Sequence, residues 1–429
     1  MNRWAIFSKV ACLAASLALT RATRADDRSC TKVTRENVVS CALATSMTVR
    51  AEERGVRAGE GKRTAASVFL PSNPSLSLTL GTPTDLPVRG TNTLYSATLS
   101  QELEIAGQRG ARVDAAEAQQ GAQRSRLLAA RRDVAAAALA GYFDQLAAAS
   151  GTRIAGRLAN LAHALKGYST ARAQIGLSAP VDAVLAESEA IQLTTLALEA
   201  EQRLAETSTA LTMLVGLDPL TERAQAEGTL TPMELRDGSA QSLASGALVG
   251  KPEILAAVAE QRAEEARARV LRRMRIPNPT ISLFARKDWL EERAVGIGIS
   301  FPIPLPSPVG RTNAGEIAEA EATAERKGAE AEQLRRETKL QVVQAAESLA
   351  RRKQAAERFD PEVVRKAEEA LDAIADELAV HKLALRDALV MQRSLIDLLF
   401  GHIEARRRFC LASVELARVA GFAFEGSAK

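Results

Sequence analysis

Aromatic residues are scarce in this 429-residue chain: ten Phe, three Tyr and two Trp, 3% of the whole. That shortage excludes a large compact core built around rings. Histidine is scarcer, at three, and with four Cys and no Cys-x-x-Cys it leaves little from which to build a metal centre. An excess of charge is missing too, since 56 basic and 52 acidic residues leave only +4, which offers no argument for nucleic acid. Beyond the amino terminus no uncharged run approaches the roughly 20 residues that a spanning helix requires, so a helical inner-membrane protein is excluded. No Gly-rich phosphate loop follows a strand and no catalytic constellation stands out, and an enzyme is not expected. What is abundant is alanine, set among Glu, Arg and Leu in long stretches, the composition of long helices that pack closely. A hydrophobic content of 46% with 25% charged residues rules out wholesale disorder. The length asks for two units or one elongated one.

At the amino terminus Arg3 and Lys9 precede the apolar run 10–19, and Thr23-Arg24-Ala25 offers a small-residue exit, so residues 1–25 read as a secretory signal peptide. Cys30 lacks the apolar neighbour that a lipoprotein signal needs, and no lipid anchor is expected there. Cys30 and Cys41 could pair in an oxidising compartment, but three cysteines after the signal leave one unmatched, and buried free thiols are the favoured reading.

Sliding the chain on itself reveals a repeat. Asn73-Pro74-Ser75-Leu76-Ser77-Leu78 matches Asn278-Pro279-Thr280-Ile281-Ser282-Leu283, a shift of 205 (278 against 73). The same shift pairs Ala42-Leu43 with Ala247-Leu248, Asp182-Ala183 with Asp387-Ala388, and Gly216 with Gly421. The organisation expected from this is a signal peptide over 1–25, a first structural repeat over 26–216, a linker over 217–240, a second repeat over 241–421 and a tail over 422–429.

Each repeat reads as helix, two strands, very long helix, turn, helix. Leu76, Leu78 and Leu80 alternate with Ser75, Ser77 and Thr79; Tyr95, Ala97 and Leu99 alternate with Ser96, Thr98 and Ser100. Ile281 and Leu283 alternate with Thr280 and Ser282, and Ile297, Ile299 and Phe301 with Gly296, Gly298 and Ser300. One oily face and one hydroxyl or Gly face suit either a sheet over a core or strands with lipid outside and water inside. Four strands cannot close a barrel, and lipid tolerates no open edge, so the membrane reading requires several protomers.

From Gly107 to Gln174 no proline occurs, which predicts a descending helix of about 100 Å. The return helix from Pro180 to Val215 carries three apolar heptad lines. Ala183, Ala190, Ala197, Leu204 and Leu211 form one; Ala186, Leu193, Ala200 and Leu214 another; Val184, Ile191, Leu198 and Ala205 a third. That stripe is wider than the seam of a two-stranded coiled coil, so each helix is expected to meet neighbours on more than one side, as in a tube wall. Helices over 36–69 and 241–275 are expected to stack end to end on the return helices, and Asp360-Pro361 predicts a helix restart.

Together these features resemble the TolC family of outer-membrane efflux conduits. The residues that carry the resemblance are Asn73-Pro74 and Asn278-Pro279, the run Ser100-Gln101-Glu102-Leu103-Glu104-Ile105-Ala106-Gly107-Gln108-Arg109, Ile175-Gly176-Leu177-Ser178 with Asp182, and the run from Asp387 to Leu395. The stretch 104–112 is similar to the CzcC-like heavy-metal branch of that family. The resemblance implies a mainly α fold with a small β part. Duplicated helical hairpins would form a periplasmic α-barrel, and four strands per protomer would join a trimeric twelve-stranded transmembrane β-barrel in the outer membrane. It implies a homotrimer with no catalytic centre and no cofactor, in contact with outer-membrane lipid. A periplasmic adaptor protein and an inner-membrane efflux pump, often of the resistance-nodulation-division class, are the implied partners. Heavy-metal cations lead as cargo, with multidrug efflux or type I protein secretion as alternatives. A soluble coiled-coil scaffold is the competing reading from a different class.

Ile175, Gly176, Leu177 and Ser178, with Lys382, Leu383, Ala384 and Leu385, fall at the turns between descending and ascending helices and are the expected adaptor-docking tips. His381 stands where the family usually has Gly. Asp182, Arg386 and Asp387 are the expected gate residues, closing a narrow mouth through charge pairs or selecting cations. His163, His381 and His402 show no metal-ligand spacing and no metal site is expected; His402, between Leu395 and Phe409 on an apolar line, reads as a packed core or interface histidine.

Overall fold

In chain order the elements are β1 (Lys32–Val33), α1 (Val38–Thr45), α2 (Met47–Ser67), β2 (Ser75–Gly81), β3 (Leu94–Glu102), α3 (Gln108–Gln174), α4 (Pro180–Leu214) and β4 (Gln225–Ala226), followed by α5 (Ala240–Gly250), α6 (Pro252–Arg273), β5 (Thr280–Lys287), β6 (Arg293–Ser300), α7 (Ala314–Glu357), α8 (Pro361–Ala379) and α9 (Leu385–Ala420). The computed structural model describes residues 30–81, 93–235, 238–288, 292–305, 312–379 and 385–424. The signal-peptide expectation and His381, Lys382, Leu383 and Ala384 lie outside these.

Helix α3 sets the scale: 67 residues, or about 100 Å at 1.5 Å per residue. Gly107, at φ 69°, opens it in the left-handed region that glycine enters without a Cβ penalty. At its far end Gly176, at φ 73°, lets Leu177 N–H reach Arg172 O at 2.9 Å and Gly176 N–H reach Ala173 O at 3.1 Å. That pair of bonds satisfies the last carbonyls and reverses the chain into α4.

The helices expected over 36–69 and 241–275 are each broken. Ser46 ends α1 by donating its N–H to Ala42 O and starts α2 by accepting the Val49 N–H on Oγ. Lys251 and Pro252 divide α5 from α6, because Pro252 has no N–H with which to continue the ladder. The restart at Asp360-Pro361 is present: Asp360 Oδ1 accepts the Glu362 N–H at 2.9 Å, and Pro361 opens α8. Residues 240–273 contain an 18-residue window apolar enough by composition to cross a membrane, but the stretch is divided at Lys251 and lies against α3, α7 and α9.

Around α3 the packing order is α2, α3, α6, α7 towards the sheet, while α4, α9 and α8 surround α3 towards its carboxyl end. The carboxyl end of α1 meets that of α4, since a Cβ at Gly216 would run into Thr45. Alanine allows this close approach: Ala186 and Ala190 of α4 are buried with Leu193 and Leu211. One apolar cluster joins Ile154, Leu158 and Leu165 of α3 to Leu371, Ile374 and Leu399 of α8 and α9.

A second cluster forms a waist, where Tyr142 and Phe143 are buried with Val33, Val38, Cys410, Val414 and Phe424. Here β1 pairs in parallel with β4. Gln145, buried on α3, donates to Ala224 O at 2.7 Å and accepts the Ala226 N–H at 2.6 Å, so the linker's backbone groups are satisfied by a side chain. Cys30 and Cys41 form a disulfide with Cα atoms 6.0 Å apart, which corrects the free-thiol expectation. The turn through Thr34, whose N–H reaches Asn37 Oδ1 at 2.8 Å, folds α1 back on β1 and brings the sulfurs together. Cys410 remains a free, buried thiol, and burial pushes its pKa up to about 12.

Candidate functional site

The four longer strands form one antiparallel sheet in the order β2-β3-β5-β6. Its register sets Leu76 opposite Leu99, Leu99 opposite Leu283, and Leu283 opposite Ile297. A period of two then places Leu76, Leu78, Leu80, Ala97, Leu99, Ile281, Leu283, Val295, Ile297 and Ile299 on one face. That face is bare: Leu80 is 78% exposed and Val295 84%. The opposite face carries Ser75, Ser77, Thr98, Ser282, Gly296 and Gly298. It also carries Phe284, whose ring occupies the space a Cβ would take at Gly296. Phe284 and Arg286 extend β5 beyond the stretch read from alternation. Among the described residues no strand pairs the outer edge of β2 or of β6.

Polar residues fasten the sheet to α3. Gln108 Nε2 donates to Asn278 Oδ1 at 2.9 Å, and Asn278 Nδ2 donates to Glu102 Oε1 at 2.7 Å. Glu104, its side chain largely buried, pairs with Arg112. The second Asn-Pro motif therefore has a definite task at the strand base.

Below the waist, α4 spends two of its three heptad lines on its own chain. The third is uncovered, with Val184, Ile191 and Leu198 all more than half exposed and Ile191 at 62%.

At the tip Ile175 and Leu177 are exposed and Gly176 faces open space. Arg172 holds the turn, donating to Leu177 O at 3.2 Å and lying 5.5 Å from the centre of the Tyr168 ring. The Ser178 hydroxyl is buried without a hydrogen-bond partner. Asp182 sits in the first turn of α4 and Asp387 in the first turn of α9, where helix dipoles favour carboxylates. Leu385 opens α9, and Arg386 and Asp387 are exposed. The two helix starts lie at a common level, since Gln392 of α9 donates to Glu189 of α4 at 3.2 Å. No ion pair joins Asp182, Arg386 and Asp387 within one chain among the described residues.

Among the described residues no group of three or more His, Cys, Asp or Glu is placed to hold a metal ion. His163 shares a hydrogen bond with Thr194. His402 meets the Phe359 ring edge-on at 5.6 Å, and burial with Arg406 nearby holds its pKa below the usual imidazole value. Lys251 was not singled out by its sequence. It is buried at the helix break, with Nζ 3.4 Å from Thr338 Oγ1, and desolvation lowers its pKa. Only the adjacent Pro252 marked that break.

The family model described as Outer membrane efflux protein matches residues 38–217. The cobalt-zinc-cadmium resistance protein CzcC of Cupriavidus metallidurans is 25% identical over 391 residues, 91% of this chain and 90% of that one. A membrane protein from Pseudomonas aeruginosa superposes with a TM-score of 0.73 at 18% identity, over 90% of this chain and 92% of that one. The open state of the Neisseria gonorrhoeae MtrE outer membrane channel superposes at 0.72 with 16% identity, over 92% of this chain and 90% of that one. These two structural likenesses establish a shared fold.

Proposed function

We propose that the chain is an outer-membrane efflux channel with a helical periplasmic extension, of the outer membrane efflux protein family that its residues 38–217 match, and that it works as a passive homotrimeric conduit for heavy-metal cations. The observation that supports the trimer is the sheet, with a bare apolar face and two open edges. In lipid an unpaired backbone edge is too costly to persist, and a spanning sheet must close. Three copies, each pairing its β6 with the next copy's β2, would close twelve strands, an even number in the range such barrels use. The hydroxyl and glycine face then lines water. The uncovered line of α4 would meet the neighbouring copy, continuing the passage as a helical tube.

A passive tube needs its energy from elsewhere. An inner-membrane pump would supply it, joined through a periplasmic adaptor that docks on the turns 175–178 and 382–385. Ile175 and Leu177 offer the apolar contact and the left-handed Gly176 sets the turn. Around the mouth, three copies of Asp182 and Asp387 would gather carboxylates that draw cations and, with Arg386 of adjacent copies, hold the resting state narrow.

The cargo reading rests on the relative named for cobalt, zinc and cadmium resistance. A conduit has no need of a tight metal site, because it must release what enters. Deleting the gene and measuring tolerance to cobalt, zinc, cadmium and copper beside a panel of drugs tests the cargo. Lost metal tolerance is expected; unchanged metal tolerance with new drug sensitivity would replace metal with multidrug efflux. Extraction only by detergent, and a heat-sensitive trimer on a gel, test the assembly, and a lone subunit in lipid would defeat it.

A further inference from the structure

We propose that the outer wall of the tube carries an oxyanion site, a pocket beside the linker that takes a carboxylate or phosphate group. The pocket is a cavity of about 490 Å³ between α3, α8, α9 and the linker residues Gly228, Thr229, Leu230 and Thr231. Arg153 of α3 and Arg406 of α9 both line it, with His402, Thr229, Thr231 and a single carboxylate, Glu368.

Arginine is plentiful here, and most of it is committed. Arg407 bonds to Glu404 and Asp144, Arg408 to Glu404, and Arg157 to Asp372. Arg153 and Arg406 are different, since neither guanidinium has a hydrogen-bond or ion-pair partner among the described residues. His402 lines the cavity one helical turn from Arg406 on α9. The two guanidiniums on the cavity wall present planar forks that match a carboxylate or phosphate. The Thr229 and Thr231 hydroxyls, 3.0 Å apart, offer further donors. Two arginines against Glu368 leave one positive charge, which a monoanion neutralises. A cation has no place there, so the site is separate from the cargo path.

The side of the wall follows from helical phase. Tyr142, Gln145 and Leu146 of α3 hold the linker, and Ser150 and Arg153 continue that stripe at helical spacing. Three copies of the linker and its clasp inside the tube would block it, so this side faces outward. The outward placement rests on the conduit reading; the pocket itself does not.

Isothermal titration of the purified full chain in detergent, at low ionic strength, with inorganic phosphate and separately with glutarate tests the site. Saturable binding of at least one probe is expected, and the tighter of the two names the source. Arg153→Gln with Arg406→Gln should weaken it at least tenfold, while the paired Lys substitutions should retain most of it. Arg153→Gln alone, at an exposed position that leaves the fold intact, should weaken it about threefold. Absence of saturable binding to either probe, or Gln variants that bind as tightly as the original, would overturn the proposal. A lone subunit that still binds defeats only the conduit reading, and a trimer that does not bind defeats only the site.

Discussion

Removing the Cys30–Cys41 disulfide with Cys30→Ser and Cys41→Ser should unlatch the waist without unfolding the wall. The bond closes a segment with a sequence separation of 11 residues. Chain-entropy arguments for a loop of that size give about 3 kcal/mol, and at about 1.4 kcal/mol per tenfold this is roughly a hundredfold in the opening equilibrium of the clasp. What remains is considerable: Gln225 N–H bonds to Thr31 O and Glu227 N–H to Val33 O, each at 2.8 Å, and Val33, Val38 and Ala42 stay buried. The exposed Lys32–Glu227 pair adds little. The clasp should therefore still close most of the time. Hydrogen exchange reads it directly, because local opening exposes the amides of Gln225 and Glu227 while those deep in α3, such as Leu158, stay protected. Exchange about a hundredfold faster at the first pair, with α3 unchanged, is expected. Unaltered rates there would mean that packing alone sets the clasp, and a uniform rise across α3 would mean that the bond supports the whole wall.

Replacing Gly216 by Ala forces a Cβ onto a φ of 75° and into Thr45, a cost of about 2 kcal/mol or more. A lowered melting temperature, only partly restored by adding Thr45→Ala, is the expected result. Asp182→Ala with Asp387→Ala should raise single-channel conductance in planar bilayers; unchanged conductance would remove the gate role. Glu404 accepts from Arg407 and Arg408, which hold its carboxyl at about 2, below its ordinary 4.5. A depressed carboxylate stabilises the fold above its unfolded value and loses that contribution as pH falls from 4.5 through about 2. Melting curves of Glu404→Gln should accordingly be lower at pH 7 and decline less steeply between pH 5 and 2, and parallel declines would count against it.

Regular pattern was the legible part of the chain. Strict alternation located all four strands, freedom from proline located α3, and Asp360-Pro361 located the restart before α8. Breaks made by one side chain were less so. Ser46 ends one helix and caps the next with a hydroxyl that would also be tolerated inside a helix, while Pro252 carried a clear signal that the overriding apolar pattern concealed. Cysteine parity misled because the pairing of Cys30 with Cys41 is decided by a local turn, not by the count. At the tip, Gly176 and the two aspartates were recognisable by their place beside helix starts. His402 and Arg406 lie one turn apart on α9, but no spacing ties them to Arg153, because three-dimensional convergence across α3 and α9 assembles their pocket.

The sheet and the helical wall leave the same demand unmet. Strand order β2-β3-β5-β6 is the order in which α2, α3, α6 and α7 pack, since each helix runs directly into or out of its strand. The open edge at β2 therefore lies above the α2 and α4 flank, and the edge at β6 above the α7 flank. One neighbouring copy can cover both levels, and cyclic symmetry repeats the contact until the ring closes. Ile191→Lys separates this from a wall held by the sheet alone. At 62% exposure in the single chain, a lysine there reaches water and should cost the subunit little. Between copies its charge would be buried without a partner, which is severely unfavourable. Full helicity with loss of the heat-sensitive oligomer is the expected outcome, read by circular dichroism and gel. An oligomer as stable as the original would show that the α4 line faces water, and the tube would have to be closed by some other surface.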